Sequence, residues 1–441
     1  MPQPDSLRES LGRRVREAQS DWRMPSVSAT VFRGGGIVWH EALGLAGVEP
    51  EEGATPEHQY RVGSITKTFT AVLVMQLRDA GSLELATPLR ELVPEAPAGP
   101  TVADALSHLS GLQREPPGDI WETLVQPDTA GLLAGLDEAD QVLAPSYRWH
   151  YSNLAYGVLG TVVERLGGAP YADALRERIL EPLELRRTTL LPEEPYAQGF
   201  FVEPYSDGVR AETHVELPET TAALGQLWST AGDLARWGSF LASGHDRVLA
   251  RATLDEMAFV RTMVDHRRWT LAWGLGLELY RRGEHVLAGH GGAMPGFLAG
   301  FAVERNERVG AAVLTNSSAG ADAETLAVEL ACLALDANGG DSEHWRPDGG
   351  APAELEPLLG RWWSEGRELV FSYRDGRFQA RLVDGPDGRD TSWFEPDGND
   401  RWRVREGREL GEVLRVVRDE EGVPTRLYLA TYPLTRDAEI F

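Results

Sequence analysis

The stretch YRVGSITKTFTAVLVMQL, residues 60–77, places a serine directly before a long helical pattern. Apolar residues recur there at helical spacing, and the pattern ends near Gly81. Ser64 and Lys67 are three residues apart at the predicted helix start, so their side chains share one face. A serine hydroxyl needs an adjacent base to act as a nucleophile at neutral pH. A desolvated Lys67 could be that base, although an ordinary helix cap would also fit this spacing.

Lysine usage points to the same position. Lys67 is the only lysine among the 43 Lys and Arg residues. Burial can remove the proton of a lysine near neutral pH, whereas an arginine stays charged. A position that keeps lysine against this bias is a candidate for acid–base chemistry. The alternative is a lysine retained by chance on a solvated helix surface.

A second segment, Tyr151-Ser152-Asn153, directly precedes another helical pattern. Tyr151 could relay a proton to a leaving group, and Asn153 could donate an amide hydrogen bond to a substrate carbonyl. A helix-capping Ser-Asn pair beside a core tyrosine would have the same sequence, so this motif alone leaves both interpretations open.

A third segment, His290-Gly291-Gly292, lies at the end of a predicted strand. Glycines such as Gly292 would let a substrate backbone pair with the strand edge, while His290 could bind a polar group or titrate against it. A glycine-rich strand turn with an incidental histidine is the alternative.

The order of predicted elements indicates an α+β domain over residues 1–336. An N-terminal helix and a hairpin around the glycines at 34–36 precede the Ser64 helix, and strand patterns return between residues 271 and 316. These strands predict an antiparallel sheet flanked by helices. Residues 85–220 are helical with Pro-rich connections, which predicts a helical lobe inserted into the sheet.

The composition changes after the first predicted domain. Residues 337–352 are rich in Gly, Pro and acidic residues without periodicity, which indicates a linker. Residues 353–441 contain short alternating segments separated by turn signals. This pattern predicts a C-terminal all-β barrel or meander.

In this order and at these separations, the three motifs resemble the serine β-lactamase and penicillin-binding-protein superfamily. The likeness is to its class C β-lactamase-like branch, which includes esterases and D-stereospecific peptidases. The resemblance covers roughly residues 8–336 and extends to ALSHLSGL (105–112), TAALGQLWSTAGDLARW (221–237) and VGAAVLTNSS (309–318). The C-terminal segment is similar to the lipocalin-like barrel that follows this domain in some relatives.

The resemblance implies a role for each candidate residue. Ser64 would be acylated, and Lys67 and Tyr151 would move the protons. Asn153 would help to orient the substrate. The backbone N–H groups of Ser64 and Ala293 would form the oxyanion hole.

One departure from the family pattern bears on the substrate. Many β-lactamases and cell-wall enzymes have a lysine where this chain has His290, which is largely neutral at pH 7. We therefore expect a serine hydrolase acting through an acyl-enzyme on an ester, an amide or a D-amino-acid-containing peptide. The alternatives are a penicillin-binding-protein-type thioesterase or peptide cyclase, which transfers the acyl group to an amine, and a catalytically inactive binding homologue.

Composition excludes several other classes. The net charge of −25 disfavours nucleic acid and acidic membranes as partners. Cys332 is the only cysteine and the histidines do not cluster, so we expect no metal ion and no other cofactor. The N-terminus lacks the apolar stretch of a secretory signal, and no apolar run is long enough for a membrane span. We expect a cytoplasmic protein whose partner is a small-molecule or peptide substrate.

Overall fold

The computed structural model describes residues 4–318, 320–337, 350–374, 376–384 and 391–438. The chain divides into two compact units, Met1–Asp341 and Ser342–Phe441. Most of the predicted linker, residues 338–349, lies outside the described residues.

The first unit contains both helices and strands. Its helices are α1 (Pro4–Asp21), α2 (Thr66–Asp79), α3 (Leu89–Leu92), α4 (Val102–Leu106), α5 (Ile120–Thr123), α6 (Thr129–Gly135), α7 (Asn153–Gly167), α8 (Tyr171–Leu175), α9 (Ala231–Ser243), α10 (Arg251–Met257) and α11 (Ala323–Asp336). Its strands are β1 (Ser26–Arg33), β2 (Gly36–Val48), β3 (Glu51–Gly53), β4 (Tyr60–Arg61), β5 (Phe200–Val202), β6 (Val209–Ala211), β7 (Trp228–Ser229), β8 (Thr262–Met263), β9 (Leu271–Trp273), β10 (Glu278–Arg282), β11 (His285–Met294), β12 (Phe297–Glu304) and β13 (Val309–Thr315). Short helical segments of 3₁₀ or π type cover Gly63–Ile65, Arg176–Leu180 and Glu219–Leu224.

Nine of these strands form one antiparallel sheet in the order β3-β2-β1-β13-β12-β11-β10-β9-β8. The predicted hairpin at the N-terminus is present, and it turns at Gly34 and Gly35, whose φ angles of 57° and 95° favour glycine. Helices α3 to α8 lie in the chain between β4 and β7, two strands that are not part of this sheet. The predicted antiparallel sheet with an inserted helical lobe is confirmed.

Side chains alternate between two cores on the two faces of the sheet. In β13, Ala311 and Val313 join the buried cluster that includes residues of α1 and α11, whereas Ala312 and Leu314 join the cluster that includes α2, α7 and α9. This period of two follows from the pleat of a strand. The central strands are therefore apolar on both faces, and they form a rigid platform for the residues at their ends.

Helix α2 lies within the second of these cores and is locked there by α9. The rings of Phe69 and Trp237 are stacked with centroids 3.7 Å apart and planes at 8°. The Trp237 indole N–H also donates a hydrogen bond to the Thr68 hydroxyl, at 2.9 Å. Because both partners are buried, this contact fixes the rotation of α2 and hence the direction of the side chains at its N-terminus.

The second unit is an antiparallel barrel of eight strands that pair in chain order. The first and last strands meet again through two backbone hydrogen bonds between Trp363 and Thr435, at 2.8 and 2.9 Å. Aromatic side chains fill the interior, among them the fully buried Trp362. The predicted lipocalin-like barrel is confirmed. Its strands are β14 (Gly360–Ser364), β15 (Arg367–Arg374), β16 (Arg377–Leu382), β17 (Thr391–Pro396), β18 (Arg401–Glu406), β19 (Val413–Arg418), β20 (Pro424–Leu429) and β21 (Tyr432–Leu434).

Replacing Thr68 by valine tests the α2–α9 contact. Valine keeps the shape of the side chain but leaves the buried Trp237 indole N–H without an acceptor, which should cost about 1–3 kcal/mol. Urea unfolding followed by circular dichroism measures the loss. The control Thr68→Ser keeps the hydroxyl and should be the more stable of the two variants, so equal stabilities would contradict the role of this hydrogen bond.

Candidate active site

Ser64 lies on a helical turn, Gly63–Ile65, that leads directly into α2. This turn touches β11 backbone to backbone. A Cβ atom at Gly63 would lie 2.6 Å from the Ala293 nitrogen, and a Cβ at Gly292 would lie 1.9 Å from the Val62 oxygen. Neither position can carry a side chain without moving one of the two segments, so the approach of Ser64 to the strand depends on both glycines.

Strand β11 presents a free edge at this contact. It pairs with β10 only from His285 to Gly289, whereas its pairing with β12 continues to Met294. In the described part of the chain, residues 290–294 therefore have no strand partner on the β10 side. The structure brings together the backbone segments that carry the amides of Ser64 and Ala293, and an extended substrate could pair beside them.

Lys67 is buried directly below Ser64. Its Nζ atom donates hydrogen bonds to Ser64 Oγ, at 3.1 Å, and to the Leu224 carbonyl oxygen. Nζ lies 5.1 Å from the centroid of the Tyr151 ring and 5.5 Å from that of the Tyr156 ring. Desolvation by this burial lowers the pKa of Lys67 to about 7. A large fraction of the amine is therefore neutral near pH 7 and able to accept a proton.

Tyr151 stands beside the serine, and its phenol is hydrogen-bonded to Ser64. The ring is stacked on His108 at a centroid distance of 4.2 Å, and the Arg114 guanidinium lies 4.9 Å from the ring centroid. His108 Nδ1 accepts a hydrogen bond from the Ser152 backbone N–H, at 3.0 Å. Burial raises the pKa of Tyr151, so the phenol keeps its proton at neutral pH and can donate it.

Asn153 is the first residue of α7, and its side-chain amide is already hydrogen-bonded within the protein. Asn153 Nδ2 donates to both carboxylate oxygens of Glu115, at 2.7 and 2.9 Å. From the sequence we expected this amide to donate to a substrate carbonyl, whereas in the structure Glu115 accepts from it. Asn153 Oδ1 is buried and has no hydrogen-bond partner among the described residues. The neighbouring Ser152 caps α7 by accepting from the Ala155 N–H, at 3.0 Å.

His290 is buried at the start of the free edge of β11. Its Nδ1 lies 2.5 Å from the Gly291 carbonyl oxygen and 3.9 Å from Glu278 Oε1, and its ring meets Trp273 edge-on. Burial lowers the pKa of His290 to about 3, and the nearby Lys67 adds to this effect. The ring is therefore neutral. It supplies no positive charge at the position where the family resemblance implies a lysine in many β-lactamases and cell-wall enzymes.

A cavity of about 240 Å³ joins these groups. It is lined by Ser64, Tyr151, Glu278, His290, Gly291, Gly292, Ala293, Leu298, Ala299, Ala321, Asp322, Ala323 and Glu324.

Among the residues that the structure describes, no three His, Cys, Asp or Glu side chains are grouped as a metal ion would require. In the same part of the chain, no helix is both long and apolar enough to cross a bilayer.

Sequence reasoning missed four residues of this site: His108, Glu115, Glu278 and Glu324. Glu278 had a recognisable signal, since it is an acidic residue within the otherwise apolar run LAWGLGLEL. His108 lies in a segment that carried the family resemblance but was given no role. Glu115 and Glu324 are in polar sequence that gives no reason to prefer them over their neighbours.

A buried amine is hydrogen-bonded to a serine hydroxyl, beside a free strand edge and a cavity. This is the arrangement of a serine hydrolase. The chain belongs to the Beta-lactamase family, whose model matches residues 11–335. Residues 351–436 match a second model, Domain of unknown function (DUF7586).

Individual relatives agree with this assignment. The chain is 29% identical to penicillin-binding protein 4 of Amycolatopsis lactamdurans, over 68% of this chain and 82% of the relative. It is 26% identical to the D-aminopeptidase of Brucella ovis, over 96% of this chain and 79% of the relative. The structure of a D-stereospecific amidohydrolase from Streptomyces sp. matches with a TM-score of 0.63 and 25% identity, covering 73% of this chain and 97% of that chain. The protein is thus a serine hydrolase with the β-lactamase fold.

Replacing Gly292 by alanine tests the backbone contact. The added Cβ would push the Ser64 turn away from β11, and a displacement of about 1 Å can cost roughly 100-fold in rate. We expect a loss of this order in the rate at which a fluorophosphonate labels the protein, with an unchanged circular dichroism spectrum. Gly53→Ala is the matched control, because a Cβ there has nothing within 4 Å. Equal labelling rates in the two variants would contradict the role of the contact.

Proposed function

We propose that this protein hydrolyses esters, amides or D-amino-acid-containing peptides through an acyl-enzyme formed on Ser64, with Lys67 as the general base. The observation that carries the proposal is the 3.1 Å hydrogen bond between the buried Lys67 amine and the Ser64 hydroxyl. We assign the activity to the N-terminal domain, with proposed bounds 1–336. We place the C-terminal barrel at 353–441, joined by a linker at 337–352.

Acylation follows from the positions of the groups. Neutral Lys67 takes the proton of Ser64 as Oγ attacks the substrate carbonyl carbon. The carbonyl oxygen becomes negative, and the backbone N–H groups of Ser64 and Ala293 stabilise it. When the intermediate collapses, the bond to the leaving group breaks and Tyr151 donates its proton to that group. The proton on Lys67 then returns to the phenol.

Deacylation repeats these steps with water as the nucleophile. The water oxygen attacks the acyl carbon, its proton passes to the neutral Lys67 amine, and Ser64 Oγ leaves and takes up a proton from Lys67. The free acid departs and the resting state is restored. The helical turn at Ser64 supports both steps, since the N-terminus of a helix is a favourable place for negative charge.

The neutral side chain of His290 supports the proposed substrate class. Penicillins and cell-wall stem peptides carry a carboxylate next to the scissile bond. The cavity lining has acidic side chains and no lysine or arginine among the described residues, so such a group would find no cationic partner there. One relative is named a D-aminopeptidase and one structural neighbour a D-stereospecific amidohydrolase. This agrees with an amide or peptide substrate for this chain.

Fluorophosphonate labelling followed by intact mass spectrometry tests the nucleophile. We expect one adduct per chain on the wild type and none on Ser64→Ala, because the phosphorus forms its bond with an activated serine. Ser82→Ala, which changes an exposed serine after α2, is the control and should be labelled normally. An adduct that persists on Ser64→Ala would overturn the assignment.

The pH dependence of kcat/KM for p-nitrophenyl butyrate tests the base. Burial lowers the pKa of Lys67 to about 7, and only the neutral amine accepts a proton. Activity should therefore be full above this pKa and fall as the pH drops through it, by roughly tenfold per pH unit.

The variant Lys67→Arg keeps a positive charge but cannot accept the proton, so it should be nearly inactive at every pH. A profile that stays flat on the acidic side of neutrality, or normal turnover by Lys67→Arg, would refute the general-base role.

A further inference from the structure

Two carboxyl groups meet at the wall of the cavity that contains Ser64. Glu278 begins β10 and is buried, and Glu324 lies in the first turn of α11 and is partly exposed. The two side chains are hydrogen-bonded to each other. The Tyr280 phenol donates to Glu278 Oε2, at 2.5 Å. The reaction proposed above uses neither carboxyl group.

A pair of glycines brings Glu324 to this position. Gly291 and Gly300 face each other across β11 and β12. A Cβ at Gly300 would lie 2.4 Å from Glu324 Cα, and a Cβ at Gly291 would lie 1.9 Å from Glu324 Oε2. The N-terminus of α11 thus packs directly on the backbone of β11 and β12. The Glu324 carboxylate occupies the space that a side chain at Gly291 would need.

The hydrogen bond between Glu278 and Glu324 requires a proton on one of the two carboxyl groups. Burial and the neighbouring carboxylate raise the pKa of Glu278 strongly, whereas the pKa of Glu324 is raised less because it accepts a hydrogen bond from Glu278. The charge of Asp322 raises the pKa of Glu324 further, and the charge of the exposed Arg282 lowers it. Glu278 therefore keeps the shared proton, and Glu324 lines the cavity as the more readily ionised of the two carboxyl groups.

His290 provides a second, independent indication that the cavity takes a polar ligand. Its side chain is 1% exposed and lines the same cavity. Its Nε2 atom has no hydrogen-bond partner among the described residues. Buried polar atoms are almost always satisfied in folded proteins, so an unpaired one beside a nucleophile indicates a group supplied by the substrate.

We propose that Glu324, positioned by Glu278 and Tyr280, is a specificity-determining residue that binds a primary ammonium group near the scissile carbonyl of the substrate. An ammonium would donate a charge-assisted hydrogen bond to this carboxylate, whereas a substrate carboxylate there would be repelled in a poorly solvated site. The inference rests on the proposed function and narrows its substrate class to compounds with a free amine, such as an unblocked N-terminal residue.

The test compares three substrates that differ in the group on the α-nitrogen and hence in charge: D-alanine p-nitroanilide, which is cationic, its neutral N-acetyl form and its anionic N-succinyl form. We expect the wild type to have the highest kcat/KM for the free amine and the lowest for the N-succinyl compound. In Glu324→Gln the ratio of the free amine to the N-acetyl form should fall roughly 10- to 100-fold, the range for loss of a hydrogen bond to a charged group. Glu324→Ala should lower the ratio similarly.

Glu329→Gln is the matched control. It removes the same charge from α11, but Glu329 pairs with Arg14, at 2.7 Å, and does not line the cavity. This variant should keep the wild-type ratio. Fluorophosphonate labelling of each variant reports whether the site is still assembled.

Each outcome bears on a distinct claim. An unchanged ratio in a labelled Glu324→Gln protein would overturn the inference, as would a wild-type preference for the N-succinyl substrate. If the wild type is labelled at Ser64 and cleaves p-nitrophenyl butyrate without any charge preference, the inference fails while the proposed function stands. If it is neither labelled nor active, the proposed function fails and the inference falls with it.

Discussion

The site depends on one close contact between two stretches of backbone, the turn at Gly63–Ser64 and the edge of β11 at Gly292–Ala293. Both glycines lack the Cβ atoms that would keep these segments apart. The contact is held from both sides, because β11 belongs to a nine-stranded sheet and the serine turn continues into the buried helix α2. Catalysis tolerates errors of only about 1 Å in such positions, so a rigid support matters as much as the residues themselves.

Burial of Lys67 is the second constraint. Its amine lies against the faces of two tyrosine rings and close to a main-chain carbonyl, and no carboxylate of the described residues forms an ion pair with it. An ion in such surroundings is costly, so the proton is held weakly and the amine becomes a base near neutral pH. Arginine could not replace it, because a guanidinium keeps its proton in any protein interior. This explains why a chain that otherwise uses arginine keeps a lysine here.

The remaining charged groups shape what can bind rather than what reacts. His290 is neutral, and the Glu278–Glu324 pair makes this wall of the cavity acidic. Asn153 is held by Glu115 instead of facing an open site. Taken together, these groups favour substrates without a carboxylate beside the reacting bond. The same fold can therefore serve different substrates through a few side chains around a constant serine and lysine.

The sequence by itself determined the features that depend on local spacing. The three-residue separation of Ser64 and Lys67 places them on one helical face, and the period-two alternation in the strands predicted the sheet and the barrel. Only the tertiary structure decided the surroundings of these residues: the pKa of Lys67, the partner of Asn153, and the meeting of Glu278 with Glu324. Each of these depends on residues that are distant in the chain and on how tightly the elements pack. Helix and strand periodicity specify which face a side chain lies on, but not which group it will meet there.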